Sequence, residues 1–96
     1  MKFDWDPRKS RSNQDKHGIT FDEAVTAFDD PFALIAPDPK HSQAELREWL
    51  IGTADNGVLV VVFTRREQGK VWRIISARRA NRKERAYYEE YKRIPI

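Results

Sequence analysis

Apolar and polar positions change rhythm along this chain, and the changes mark its elements. Phe3-Asp4-Trp5 alternates apolar and acidic side chains and is stopped by Pro7, which predicts a short edge strand leading into a helix with proline in its first turn. Residues 7–17 read as that helix: Lys16 and His17 suit its last turn, and Gly18 suits the left-handed residue that ends it. It has no apolar stripe, and its inner face reads Ser10, Asn13 and His17. Thr20 with Glu23 makes a capping box, and Phe21, Ala24, Val25 and Phe28 recur at helical spacing, predicting a short amphipathic helix over 21–28. Asp29-Asp30-Pro31 ends it.

The rhythm then turns to strands. Residues 32–36 form a short apolar run before the turn-rich segment 37–42, and 48–53 read as the next strand. Asp55-Asn56-Gly57 predicts a tight hairpin with positive φ angles at Asn and Gly. Residues 58–64 are apolar and β-branched, as in a central strand covered on both faces, and the chain turns at Gln68-Gly69-Lys70 into a last strand over 71–77. Asn81 with Glu84 repeats the capping pattern, while Tyr87, Tyr88, Tyr91 and Ile94 supply the inner stripe of a helix over 81–93. The expected class is α+β: a small antiparallel sheet with two N-terminal helices and one C-terminal helix, in the order β-α-α-β-β-β-β-α. Ninety-six residues suit one core, so a single domain over 1–96 is expected.

Composition narrows the chemistry. Without cysteine there is no disulfide framework, thiolate zinc site, iron–sulfur cluster or Cys nucleophile. The first residues hold no apolar leader and the longest apolar run, 58–63, is far too short to span a bilayer, so a cytoplasmic protein with no membrane partner is expected. Charge is unevenly spread. From Arg65 onward eleven Lys and Arg face four Glu, whereas the preceding residues are net acidic. That asymmetry suggests a polyanion surface, although a solvated helix face explains a charge run as well.

Arg78-Arg79 leave the last strand, on opposite faces, and Arg82 and Arg85 follow in the first turns of the last helix. With Arg65-Arg66 at the end of the neighbouring strand and Arg73 within the last one, they are expected to converge into a patch the size of a few phosphates. Guanidinium forks and a helix N-terminus both bind phosphate oxygens. Arg73 in mid-strand requires either a wet face or an ion-pair partner. His17 and His41 each have the intrinsic acidity for proton transfer, with capping and loop roles as the structural alternatives. Asp38 and His41 make at most a weak metal motif, so neither a metal site nor a cofactor is expected. Three tyrosines cannot all face the core, which leaves Tyr88 or Tyr91 to offer a hydroxyl, or a ring for base stacking.

Taken together, Phe3-x-Trp5-Asp6-x-x-Lys9, Asn13-x-x-Lys16-His17-Gly18-Ile19-x-Phe21-x-Glu23-Ala24, Phe28-x-Asp30-Pro31 and Arg73-Ile74-Ile75-Ser76-Ala77-Arg78-Arg79-Ala80, with Glu84 and Tyr88, resemble the BrnT family of type II toxins. The resemblance implies a RelE-like ribonuclease fold, inhibition of translation by RNA cleavage, and neutralisation by a BrnA-type antitoxin that also binds DNA, as a toxin dimer within a 2:2 complex. Metal-independent RNA cleavage needs a base for the 2′-hydroxyl, a cation on the phosphorane and an acid for the 5′-oxygen. Arg78, inside the family's motif, is expected to clamp the transition state. Arg65 is expected to position the phosphate, His17 or Tyr88 to move the proton, and Lys16, Arg66, Arg73, Arg79, Arg82 and Arg85 to bind RNA. The alternative is a non-catalytic nucleic-acid-binding module using the same arginines.

Overall fold

The computed structural model describes residues 2–42 and 44–93, the side chain of His41 excepted. Ile94, expected on the last helix's inner stripe, lies outside the described residues. The elements follow the expected order: β1 (Lys2–Asp4), α1 (Pro7–His17), α2 (Phe21–Thr26), β2 (Leu34–Pro37), β3 (Glu48–Ala54), β4 (Gly57–Arg66), β5 (Val71–Arg79) and α3 (Arg82–Lys92). Five strands form one sheet in the order β1-β5-β4-β3-β2. β2 to β5 are an antiparallel meander, but β1 lies parallel to β5, with Phe3 opposite Trp72 and Asp4 opposite Arg73. The sheet is therefore mixed rather than wholly antiparallel.

Local signals explain the boundaries. Asp6 caps α1 by accepting from the Arg8 amide, and Gly18 closes it at φ 72°, where a side chain would be strained. Thr20 with Glu23 and Asn81 with Glu84 both form complete capping boxes. α2 stops at Thr26, two residues before the expected end, and a 3-10 turn over Ala27–Asp29 lays its backbone on β3. Gly52 permits that approach, since a Cβ there would sit 2.8 Å from the Ala27 carbonyl oxygen. The hairpin after β3 turns through Asp55 and Asn56, and only Gly57 of the Asn-Gly pair has a positive φ.

The helices divide the sheet unequally. α1 and α2 cover one face, where Ile19, Phe21, Ala24 and Ala27 bury against Leu50, Leu59, Val61, Phe63, Ile74 and Ala77. Opposite, α3 buries Tyr88 against Ile51 and Val60 and covers little else. β4 was expected to be covered on both faces; instead Val62 is half-buried on an open concave surface.

A β-bulge decides which side chains reach that surface. Val62 pairs with Ser76 while Phe63 pairs with Ile74, so Ile75 is an extra residue. Counting by two from the buried Ile74 would put Arg78 on the helix-covered face. The bulge shifts the alternation, turning Ala77 into the core and Arg78 to the open side beside Val60.

Candidate functional site

The open face holds a cavity of about 800 Å³. Its floor is Trp49, Ile51, Val60, Val62 and Ser76; one wall is the end of α1, with Lys16 and His17; the other is the start of α3, with Lys83, Glu84 and Tyr87. Arg78 lies between the walls, and buried Asp38 closes one side.

Asn13 fastens the first wall. β5 has β1 beside it only as far as Arg73, so the backbone of Ala77 lacks a strand partner on that side. The Asn13 carboxamide takes that place: Oδ1 accepts from the Ala77 amide (3.1 Å) and Nδ2 donates to the Ala77 carbonyl (2.7 Å) and to that of Ile19 (2.9 Å). Ser10 accepts from the Phe21 amide in the turn above. The polar inner face of α1 is thus a hydrogen-bonded seam, and His17, one turn after Asn13, is carried to the cavity by it.

Glu84 fastens Arg78. Its Oε1 accepts from the Asn81 amide, completing the capping box, and its two oxygens accept from Arg78 Nη1 and Nη2 at 2.7 and 2.8 Å. Nη1 also donates to the Arg79 carbonyl at 3.3 Å. Three of five guanidinium protons are then used, and among the described residues nothing accepts from Nε. The Nε edge, with the second Nη2 proton beside it, forms an unused fork of the kind that binds a phosphate. The hydrogen bond to Glu84 holds Arg78 above its usual pKa in spite of burial, and that same bond, helped by the Asn81 amide, holds the Glu84 carboxyl below the usual glutamate range. Among the described residues Lys16 and Lys83 have no ion-pair partner, so their charges add to the cavity.

The expected convergence of arginines does not form. β4 and β5 are antiparallel, so Arg65 at the end of β4 lies opposite Trp72 near the start of β5, about 20 Å along the sheet from Arg78. Arg65 is paired with Glu48 at 2.6 Å and stacked 4.7 Å over the Trp72 ring. Arg66 pairs with Glu45, and Arg73 finds its ion-pair partner in Asp4. Arg79 donates to the Asn56 carbonyl at the hairpin end. Arg82 and Arg85 are exposed on α3 outside the cavity lining, whereas Lys16 lines it.

Tyr88 is the one buried tyrosine of α3. Its hydroxyl donates to Asp30 and meets Thr53 Oγ1 at 3.0 Å, away from the cavity lining. Burial raises the Asp30 pKa, but the Thr53 amide, Tyr88 and the Phe32 amide more than offset it and hold the carboxyl below the usual aspartate range. Burial, then Asp30, raises Tyr88 in turn. The ring on the cavity belongs to Tyr87, and the signal that names it is register: Tyr87 follows Lys83, also on the cavity lining, by four. Glu84 was readable as a cap and as part of the family pattern, but not as the partner of Arg78.

Among the described residues no three His, Asp or Glu side chains are grouped closely enough to hold a metal ion. No helix among them is long and apolar enough to cross a membrane. Residues 5–84 match the family described as "Ribonuclease toxin, BrnT, of type II toxin-antitoxin system". No curated protein matches the chain.

Proposed function

The chain belongs to the BrnT family of type II toxin–antitoxin ribonuclease toxins, and from that premise we propose that its cavity cleaves RNA phosphodiesters without a metal. The carrying observation is Arg78 on the cavity lining, its terminal edge held by Glu84 and its Nε edge unused. A phosphate on that fork lies between Lys16 and Lys83, and His17 on the adjoining wall takes the proton from the 2′-hydroxyl. The 2′-oxygen then bonds to phosphorus, the bond to the 5′-oxygen breaks, and the 5′-oxygen takes a proton from water, which reaches the open cavity. Arg78 neutralises the extra charge of the phosphorane. The products are a 2′,3′-cyclic phosphate and a 5′-hydroxyl.

The wider reading is a single cytoplasmic toxin domain that halts translation by this cleavage and is neutralised by a BrnA-type DNA-binding antitoxin, as a toxin dimer in a 2:2 complex. The family supports the antitoxin part of it, since a type II toxin requires an antitoxin. Toxin released from its co-expressed antitoxin should cut single-stranded RNA in excess EDTA and leave cyclic phosphate ends. Arg78→Ala should slow cutting about 100- to 1000-fold. Cutting that stops in EDTA or survives Arg78→Ala overturns the proposal, and salt-sensitive RNA binding without fragments would favour the non-catalytic module.

A further inference from the structure

The last helix carries two large aromatic side chains that its own packing does not use. Tyr88 is buried, but Tyr87 and Tyr91 are 53% and 51% exposed. Rings left in water forgo the free energy of burial. Their centroids lie 5.8 Å apart with the planes tilted by 45°, so they form one small preformed shelf. Lys83, Tyr87 and Tyr91 recur every fourth residue, which sets them along one side of α3 at steps of about 6 Å. Lys83 and Tyr87 line the cavity with Arg78, and Tyr91 carries the stripe one turn beyond.

A cation followed by two ring faces, beginning beside the phosphate fork, has the composition of a single-strand binding track, where the ammonium meets a phosphate and the ring meets a base. We propose that Tyr87, backed by Tyr91, is a base-stacking subsite that holds an unpaired nucleobase of single-stranded RNA next to the phosphate bound at Arg78. It rests on the reading above only for where the phosphate sits. Every base has a π-face, so the subsite selects unpaired strand over duplex rather than one sequence over another. A protein partner is the competing occupant of exposed tyrosines. RNA is favoured because the stripe begins with Lys83 on a cavity that Lys16 and Arg78 also line, and because two half-exposed rings fall far short of the roughly 800 Å² per partner of a stable protein interface.

The test uses the full chain and two fluorescent hexamers that cannot be cut: 2′-deoxyuridine hexamer and an abasic hexamer with the same phosphates. The wild type should bind the base-bearing strand about tenfold more tightly than the abasic one. Tyr87→Ala should bring the first affinity down to the second without moving the second, Tyr91→Ala should remove part of the preference, and Tyr87→Phe, which keeps the ring, should restore it. A preference that survives in Tyr87→Ala, or equal weakening on both strands, overturns the proposal. So does a Tyr87→Ala protein that binds both hexamers as the wild type does but no longer holds its co-expressed antitoxin. Base preference without any RNA cutting would sink the cleavage reading and leave the subsite standing; cutting without base preference would do the reverse.

Discussion

Asn13→Ala tests the joint on which the cavity's first wall depends. The side chain is 7% exposed, and its removal leaves the amide and carbonyl of Ala77 and the carbonyl of Ile19 without their partner. At about 1 kcal/mol net for each bond, the expected loss is about 3 kcal/mol, a large share of the roughly 5–15 kcal/mol that holds such a domain together. For a domain near 100 residues that corresponds to a fall in Tm on the order of 15 °C. Urea and thermal unfolding followed by far-UV circular dichroism read it directly. Asn13→Asp sharpens the test, because it keeps the shape and turns a carboxylate toward two carbonyls. Its folded pKa should rise above the unfolded value near 3.9, so the penalty is full at neutral pH and shrinks as the pH falls toward that value. A loss below about 1 kcal/mol for the Ala variant, or an Asp variant as stable as the wild type at pH 7, would refute the account of Asn13 as the missing strand partner.

Glu84→Gln should free Arg78 from its bidentate hold and lower RNA cutting by about tenfold to a hundredfold; a rate equal to wild type would mean that Arg78 needs no clamp. Asp30 and Glu84 both have depressed folded pKa values, so the stability they confer is complete above the usual carboxylate range and is lost as the pH falls through their folded values. Stability should therefore decline below about pH 4, and Asp30→Asn should flatten that decline; an unchanged acid limb would contradict the role given to Asp30. Arg65→Ala should cost about 1 kcal/mol through the lost Trp72 stack and Glu48 pair, and a fall in cutting beyond what unfolding explains would return Arg65 to the site.

What was legible in the sequence was local. Thr20 with Glu23 and Asn81 with Glu84 announce helix starts within three residues, and both boxes form. The polar inner face of α1 was visible as a departure from amphipathic spacing, but its reason lies at Ala77, 64 residues away, and no local pattern names that partner. A similar separation hides the parallel seat of β1 beside β5, for three residues carry too little pattern to choose an edge. The bulge at Ile75 was hidden because uniformly apolar Ile74-Ile75 gives period two nothing to break on.

The arginines show where sequence reasoning stopped short of geometry it already held. An antiparallel hairpin puts the end of one strand beside the start of the next, so two strand ends as consecutive as those of β4 and β5 cannot meet. That rule alone separates Arg65 from Arg78. Charge density then ceases to be the criterion for a phosphate site. Arg65, Arg66 and Arg73 each sit on a carboxylate and Arg79 on a carbonyl. Arg78 also has a carboxylate, yet Glu84 takes only its terminal edge, and among the described residues nothing accepts from Nε. An acid partner commonly marks an arginine as structural. Here it fixes the guanidinium's plane and leaves the proposed phosphate fork unfilled, where the bulge turns Arg78 toward the cavity that His17 of α1 also lines.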